Sequence, residues 1–235
     1  ADIADALRSV AWADEIILVD SESTDETVAI ARQHTDRVIV RPWRGYVDQK
    51  NDAAALASHD WILSLDADER VTPELASELQ RLLASEPGHA AYQVRRVTWH
   101  LGRWIRTTDW YPDYQLRLYD RRRAAWKPKR VHESVVARGV PGTLRSHLEH
   151  YSYRDLSHHH QTIDKYSTLA AEEMHAAGRR AGVFDLVLHP PAAFLRNYVL
   201  RRGLLDGLAG FIISAMNAHY VFLKFAKLWT LNRRG

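Results

Sequence analysis

Two carboxylates separated by one alanine, Asp66 and Asp68, follow an apolar run in the stretch WILSLDADER (61–70). Side chains at positions i and i+2 of a strand point the same way, so both carboxylates can reach one point beyond the strand end. Hard oxygen ligands of this kind suit Mg²⁺ or Mn²⁺, above all where a diphosphate supplies further oxygens. The competing interpretation is an acidic cap ahead of the helix that Thr72 and Pro73 introduce. The position after a buried strand favours the metal.

The elements that must position this pair are strands alternating with helices. The apolar runs predict strands at 15–20, 37–41 and 60–66, and helices at 21–34 and 47–58. This alternation indicates an α/β fold with a mainly parallel sheet and flanking helices. Ligands of such sheets bind beyond the carboxyl ends of the strands. Asp20 and the Asp66/Asp68 pair both fall at such ends.

Two other protein classes contain similar acidic text. An EF-hand loop would need ligands at every second residue, and Arg70 and Pro73 interrupt that series. Phosphatases that place D-x-D after an apolar strand usually continue with Thr or Val, whereas this chain has Glu69. They also need a later acidic pair that the sequence does not offer. The phosphatase interpretation remains the lesser alternative.

The composition excludes some kinds of site and shows an uneven distribution of charge along the chain. The chain contains no cysteine, which excludes disulfides, zinc-thiolate sites and a cysteine nucleophile. Residues 1–90 hold eighteen acidic against eight basic side chains, whereas residues 190–235 hold seven basic side chains and Asp206 alone as an acid. A basic, apolar end on an acidic front predicts contact with an anionic surface, either lipid or nucleic acid.

The C-terminal region is expected to be helical. Gly182 and Pro190-Pro191 indicate a linker, and apolar residues recur at helical intervals over 204–229. The best uninterrupted apolar run there is shorter than the roughly 20 residues that span a bilayer. We therefore expect an amphipathic helix in the membrane interface. A helix packed on the protein or in a dimer interface is the alternative.

Several further stretches together resemble one known family. They are EIILVDSESTDETVAIA, GYVDQKNDAA, HDWILSLDADERVTPEL, WYPDYQLRLYDRR, VHESV, LEHYSY and RRGLLDGLAG. In combination they are similar to the inverting family 2 glycosyltransferases of the GT-A fold, and most of all to short bacterial enzymes of lipopolysaccharide core synthesis. The likeness covers nearly the whole chain. It implies a GT-A, Rossmann-like sheet plus a C-terminal helical extension that associates with membrane.

The resemblance implies roles for five residues at the donor site. Asp20 takes the position that contacts the nucleotide base, Asp66 the one that faces the ribose or sugar, and Lys50 one near the diphosphate. Asp68 is implied as a ligand of Mg²⁺ or Mn²⁺, with His150 as a further ligand. Charge neutralisation is needed because a nucleoside diphosphate otherwise leaves poorly.

Inversion at the anomeric carbon also requires a general base for the acceptor hydroxyl. By the resemblance Glu133 is the first candidate, and Asp113 is the second. The basic segment 121–130 lacks the surroundings of a nucleic-acid site and is expected to contact an anionic acceptor. Nearby aromatic residues are either sugar-stacking surfaces or core, namely Trp99, Trp104, Trp110 and Tyr111.

The resulting prediction is a metal-dependent inverting enzyme. It moves a hexose from a nucleotide sugar, taken as UDP-linked, to a lipid-anchored glycan such as lipopolysaccharide core. It is expected in the cytoplasm, peripheral on the inner face of the cytoplasmic membrane, with no nucleic-acid partner. The domains are expected at 1–155 (catalytic) and 156–235 (helical, basic and amphipathic), and the family's first strand is expected to be missing. A non-catalytic, membrane-associated module that binds nucleotide sugar or glycan is the second hypothesis.

Overall fold

A computed structural model describes residues 2–127 and 134–234. They form two compact units. The first comprises the residues up to Arg96 together with Asp113–His150. The second comprises Val97–Pro112 together with the chain from Tyr151 onward.

The first unit contains four helices and most of the strands. Its helices are α1 (Asp2–Ser9), α2 (Thr27–Ala31), α3 (Tyr46–Leu56) and α4 (Pro73–Ala84). Its strands are β1 (Leu18–Asp20), β2 (Val38–Val40), β3 (Trp61–Leu63), β4 (Glu69–Val71), the first part of β5 (Ala91–His100), β7 (Asp113–Asp120), β8 (Ala124–Lys127), β9 (Ser134–Ala137) and β10 (Gly142–His150). The remaining strand, β6 (Arg103–Ile105), belongs to the second unit.

The sheets are mixed rather than mainly parallel. β1 and β2 pair in parallel, with Asp20 opposite Val40. A six-stranded sheet has the order β3-β7-β5-β10-β4, with β6 added beside β5, and its β3/β7, β5/β7, β5/β6 and β4/β10 pairs are antiparallel. The predicted α/β architecture with flanking helices is confirmed. The predicted parallel pairing is found for β1 and β2, whereas Trp61–Leu63 of the strand predicted at 60–66 pairs with β7 in antiparallel register.

Helix α4 shows how the first core is built. Thr72 caps the helix, since its Oγ1 accepts from the Leu75 backbone N–H at 3.1 Å, and Pro73 takes the first helical position as predicted. Leu75 and Leu79, one turn apart, are fully buried against sheet residues that include Leu148. Each such leucine contributes about 1.5–3 kcal/mol by leaving water. This packing holds α4 on the sheet.

The second unit is mainly helical. It contains a 3-10 turn (Thr108–Trp110), α5 (Leu156–Ala176), α6 (Val183–Leu195), a π-helical turn (Arg196–Leu200), a second 3-10 turn (Gly203–Asp206) and α7 (Gly207–Arg234). The predicted linker at Pro190-Pro191 is wrong, because both prolines lie inside α6. An interior proline costs about 3 kcal/mol, and the apolar residues on either side must outweigh that cost.

Helix α7 is longer and more apolar than the sequence analysis allowed. By length and composition alone, 203–233 could cross a membrane, which contradicts the expectation that this tail is too short. In the folded unit, 28% of the most apolar 18-residue stretch of this segment is buried. Phe225 and Leu228 pack with Ala171 of α5, and Lys227 Nζ donates to Asp164 Oδ1 at 2.7 Å. These contacts make α7 the helix on which α5 and α6 pack.

The stretch RRGLLDGLAG has a structural explanation. A Cβ atom added to Gly210 would lie 1.8 Å from the carbonyl oxygen of Gly203, so the two backbones approach as closely as glycine allows. Gly207 has φ +58°, a conformation that favours glycine. Asp206 is buried and accepts from the Arg106 backbone N–H at 3.1 Å and from Thr107 Oγ1 at 2.6 Å. The stretch is therefore a tight junction within the second unit.

Candidate functional site

Three consecutive residues of α3 connect three parts of the first unit. Gln49 donates from Nε2 to the Val19 carbonyl at 2.9 Å, next to the end of β1. Lys50 Nζ lies 2.9 Å from Asp66 Oδ1 and 4.1 Å from the centre of the Trp126 ring. Asn51 bonds both backbone groups of Trp126, at 2.9 and 3.1 Å. Successive helical residues point about 100° apart, so one turn of α3 can contact the end of β1, Asp66 and Trp126 of β8.

Asp66 is held between two cations. Its Oδ1 faces Lys50, and its Oδ2 lies 2.6 Å from Arg117 Nη2. Burial raises the pKa of Asp66, but the charges and hydrogen bonds of Arg117 and Lys50 outweigh burial and bring the pKa to about 2. The carboxylate is therefore ionised at neutral pH with both oxygens engaged. This arrangement suits a residue that orients Lys50 and accepts a polar ligand group more than one that binds a metal directly.

Asp68 points toward His150 instead. The Oδ2 atom of Asp68 lies 3.2 Å from His150 Nε2. The β4/β10 register produces this contact, since it sets His150 opposite Glu69, the residue after Asp68. Burial raises the pKa of Asp68, and the hydrogen bond and charge of His150 lower it by more, so that the net shift is downward. The structure thus brings together the two residues proposed from the sequence as metal ligands.

Glu69 lies at the centre of the site, and the sequence did not single it out as a functional residue. Its side chain is fully buried, and its Oε1 lies 2.5 Å from Arg117 Nη2 and 3.0 Å from Arg96 Nη1. Its Oε2 accepts from the Asp66 backbone N–H at 3.1 Å. Burial lowers the pKa of Arg117, whereas Glu69 and Asp66 raise it by more. Glu69 therefore holds both the backbone of Asp66 and the arginine that faces its side chain.

A sequence signal for this network did exist. Arg96 and Arg117 lie next to apolar residues in the strand patterns QVRRV and QLRLY. A charged side chain in a central strand is rarely buried without a partner. Two such arginines, with an extra acid beside the D-x-D, indicate an internal ion-pair network.

Asp113, the second candidate base, is already engaged. Its Oδ2 lies 2.8 Å from Arg96 Nε and 2.7 Å from Arg96 Nη2. Its Oδ1 accepts from Gln115 Nε2 at 2.6 Å. Through Arg96, Asp113 is joined to Glu69 and belongs to the bracing of the site. Glu133, the first candidate base, lies outside the residues that the structure describes.

Asp20, Lys50 and Asp66 line one cavity of about 630 Å³ in the first unit. Asp20 is buried and accepts from the Ser23 backbone N–H at 2.8 Å, so it fixes the turn that follows β1. Trp43 and Tyr46, whose rings meet edge-to-face at 4.6 Å, also line the cavity and remain half exposed. Carboxylates, a lysine and exposed aromatic rings thus surround one space.

The other aromatic and basic candidates have structural partners. Trp99 and Trp104 meet edge-to-face at 5.2 Å, and Trp110 stacks on Tyr153 at 5.4 Å. In the basic segment, Arg121 donates to the carbonyls of Ala54 and Ala57, and Arg122 binds Asp120 and Asp60. Pro128, Lys129 and Arg130 lie outside the described residues. Arg121 and Arg122 therefore support the fold.

The donor set fits a metal bound jointly with a diphosphate. Within residues 2–127 and 134–234, no group of three or more His, Asp or Glu side chains is placed to hold a metal by itself. Asp68 and His150 offer one carboxylate oxygen and one ring nitrogen, and the Asp68 side chain is 41% exposed. Mg²⁺ usually takes one or two carboxylates and completes its shell with substrate phosphates and water. The pair matches that pattern and does not match a closed protein cage.

Fold and site together define an α/β protein with an acidic sheet edge braced by the buried Arg117 and the partly buried Arg96. Residues 1–150 match the model of the Glycosyl transferase family 2, and the chain belongs to that family. It is a glycosyltransferase by this membership and by the names of its relatives.

Two relatives illustrate the similarity. The chain is 34% identical over 223 residues to the lipopolysaccharide core biosynthesis glycosyltransferase LpsC of Rhizobium meliloti, covering 92% of this chain and 82% of the relative. It is 35% identical over 242 residues to an uncharacterized glycosyltransferase of Rickettsia felis, covering 97% and 85%. The chain is therefore a homologue of a lipopolysaccharide core glycosyltransferase.

A solved structure shares the fold. The mannosyltransferase PcManGT from Pyrobaculum calidifontis, in complex with GDP-Man and Mn²⁺, superposes with a TM-score of 0.52 over 97% of this chain and 84% of that one. Only 13% of the aligned residues are identical. At that identity the likeness confirms the GT-A-like fold predicted from the sequence and says nothing of the donor.

Proposed function

We propose that the chain is a metal-dependent inverting hexosyltransferase. It moves a hexose from a nucleotide sugar to a lipid-anchored glycan such as lipopolysaccharide core. The observation that carries this proposal is the site around the D-x-D, where Asp66 is fixed by Lys50 and Arg117 while Asp68 faces His150. Family membership supplies the reaction class.

The charged residues of the donor site would contact different parts of the nucleotide sugar. Asp20, at the end of β1, would contact the base, and Asp66 the ribose or sugar, since both line the same cavity. Lys50, held 2.9 Å from Asp66, would place its ammonium group beside the diphosphate. A divalent ion, Mg²⁺ or Mn²⁺, held by Asp68 and His150 would supply further charge neutralisation for the departing diphosphate.

The acceptor side needs a base. As the acceptor oxygen bonds to the anomeric carbon, the bond to the diphosphate breaks, and the base takes the hydroxyl proton. We assign this role to Glu133, with Asp113 as the second candidate. Support for that order comes from Asp113 itself, both of whose oxygens are engaged by Arg96 and Gln115.

The proposed donor, acceptor and location are supported by one relative and by the family resemblance. UDP is the proposed nucleotide, and the likeness to LpsC supports a lipopolysaccharide core acceptor. We place the catalytic domain at 1–155 and the helical extension at 156–235. The enzyme would work in the cytoplasm on the inner face of the cytoplasmic membrane, where the basic extension meets anionic lipid.

Calorimetry with UDP tests the donor site directly. The chain should bind UDP in the presence of Mn²⁺ and much more weakly with chelator, and Asp68→Ala should remove the difference. Asp36→Ala, an exposed acid on the surface, is the matched control and should bind as the unaltered chain does. Metal-independent binding, or an Asp68→Ala variant with full activity, would rule the proposal out.

The second candidate function is a module that binds nucleotide sugar or glycan without transfer. It is supported by Asp113, the candidate base within the described residues, because both of its carboxylate oxygens are engaged by Arg96 and Gln115. Incubating the chain with labelled UDP-hexoses and a lipid-linked glycan extract separates the two. Label in the lipid fraction supports the enzyme, whereas tight metal-dependent UDP binding without any transfer supports the module.

A further inference from the structure

Large apolar side chains are exposed along one stretch of the second unit, from α6 to the start of α7. In the described segment 183–211, eleven of them are 44% to 79% exposed: Val183, Phe184, Val187, Leu188, Leu195, Val199, Leu200, Leu204, Leu205, Leu208 and Phe211. Monomeric proteins seldom leave apolar patches larger than a few hundred Å² open to water, and larger ones mark interaction sites. These eleven residues are called the α6 apolar surface below.

The α6 part of this surface is one face of a helix. Phe184, Leu188 and Leu195 follow each other at four and seven residues, which places them along one side. The other side is covered. Leu186 packs against the cluster of Ala171, Phe225 and Leu228, and the His189 ring stacks on Phe225 at 4.8 Å. The exposed face is thus what remains after α6 has packed on α7.

Aromatic contacts join the successive elements into one support. The Phe194 and Tyr198 rings stack at 5.4 Å, and Phe211 meets them edge-to-face at 5.6 and 5.8 Å. These three residues come from α6, the π-helical turn and α7. The exposed leucines on either side of them are therefore carried by a single packed structure.

The backbone of this stretch is helical through most of its length. After α6, the Arg201 backbone N–H donates to the Arg196 carbonyl at 2.7 Å, and that of Leu205 to the Arg202 carbonyl at 2.9 Å. Hydrocarbon offers no hydrogen bonds, so a segment that enters it needs its backbone groups satisfied internally. The stretch meets that requirement better than an irregular loop would.

Arginines flank the apolar residues. They are Arg179, Arg180, Arg196, Arg201 and Arg202, all exposed. The nearby acids are offset: Asp206 is buried beside Arg103, Asp185 faces Arg179 and His189, and Asp109 is shared by Arg196 and Arg201. The net charge around the α6 apolar surface is positive.

The positive charge indicates which kind of partner binds the α6 apolar surface. A second copy using the same face would set arginines against arginines around a two-fold axis, which is unfavourable. An anionic bilayer offers hydrocarbon for the leucines and phosphates for the arginines, worth about 1 kcal/mol per basic residue near the surface. We propose that the α6 apolar surface inserts into the headgroup region of an anionic lipid bilayer. The sequence predicts membrane contact at 204–229, and the α6 apolar surface would centre that contact on α6.

The absence of cysteine from the chain makes a site-specific test clean. Single variants Phe184→Cys and Leu188→Cys are labelled with a polarity-sensitive fluorophore and mixed with vesicles of phosphatidylglycerol and phosphatidylcholine. Val140→Cys is the matched control, because Val140 is 80% exposed but belongs to the first unit. We expect a blue shift at 184 and 188 with anionic vesicles, a smaller one with phosphatidylcholine alone, and none at 140. Equal shifts at all three positions, or none, would overturn the proposal.

Vesicle co-sedimentation of the unlabelled chain completes the test. The double variant Phe184→Ser, Leu188→Ser should bind anionic vesicles roughly tenfold or more weakly. Its affinity for UDP should be unchanged, since neither residue is in the donor site, so this result stands apart from success or failure of the proposed transferase. Sedimentation velocity without lipid tests the alternative partner, a second copy of the chain. A dimer that the double variant dissociates would refute membrane docking in favour of self-association.

Discussion

Arg117 Nη2 lies between two carboxylates, 2.5 Å from Glu69 Oε1 and 2.6 Å from Asp66 Oδ2. Only Asp66 is open to the cavity, while Glu69 is fully buried. The arginine therefore transmits the fixed position of a buried acid to the acid that faces the ligand. The conformation of the D-x-D depends on this support as much as on its own backbone.

Glu69→Gln should be strongly destabilising for this reason. The glutamine fills the same volume but leaves Arg96 and Arg117 without their buried negative partner, and loss of one member of such a pair costs about 3–5 kcal/mol. Urea denaturation measures the change. Glu74→Gln, on the exposed first turn of α4, is the control and should shift stability by no more than about 0.5 kcal/mol. Equal midpoints for the two variants would contradict the assigned role of Glu69.

The two candidate bases should respond differently to amide substitution. Glu133→Gln is expected to keep metal-dependent UDP binding and to lower turnover about 10²- to 10⁴-fold, the usual contribution of a general base. Asp113→Asn should lower stability and donor affinity together, because Asp113 anchors Arg96 at 2.7 Å and so belongs to the Glu69 network. Donor affinity, turnover and urea midpoint are measured for both. Loss of turnover alone in Asp113→Asn, with Glu133→Gln fully active, would reverse the assignment.

The pH dependence of stability should carry the signature of a buried histidine. Burial, and then the nearby His100, His158 and His160, lower the pKa of His159 from 6.5 to about 4. The unfolded chain therefore binds this proton at a higher pH than the folded chain. The contribution of His159 to stability is complete above pH 6.5 and is lost progressively as the pH falls toward 4.

Replacing the imidazole tests this directly. His159→Gln should flatten the fall in unfolding free energy between pH 6.5 and 4, whereas the exposed His59→Gln should leave it unchanged. Urea denaturation at several pH values gives the slope. A slope as steep in His159→Gln as in the unaltered chain would show that other groups dominate acid destabilisation.

Local patterns carried the prediction of the fold and of part of the site. Pro73 at a helix start is a property of neighbouring residues, which the sequence displays. Asp66 and Asp68 lie beyond the end of β3 at Leu63 and face different partners, so the strand alternation expected for them does not direct their side chains. Glu69 escaped notice because its partners, Arg96 and Arg117, lie on strands 27 and 48 residues away. Their meeting depends on the strand order, which local periodicity does not encode.

The C-terminal half shows the opposite failure. Pro190-Pro191 is a strong local signal for a break, and tertiary packing overrode it when α6 formed against Phe225. The resulting exposed face could not be foreseen, because which side of an apolar helix is covered depends on its neighbours. Helix α7, expected as the interfacial helix, packs against α5 and α6 along part of its length, while Leu208 and Phe211 near its start stay exposed.

Gly210→Ala provides the sharpest test of the junction between the second 3-10 turn and α7. Alanine is the better helix former by about 1 kcal/mol, so propensity alone predicts stabilisation. The added Cβ would, however, lie 1.8 Å from the Gly203 carbonyl oxygen and 2.7 Å from its carbon, atoms of backbone that cannot rotate away. Overpacking of this kind typically costs about 1–3 kcal/mol, and we expect a net loss of stability. Gly88→Ala is the control, because a Cβ there meets nothing within 4 Å. Thermal unfolding should show a lower midpoint for Gly210→Ala and an unchanged or higher one for Gly88→Ala, and a stabilised Gly210→Ala would mean that the two backbones do not approach as described.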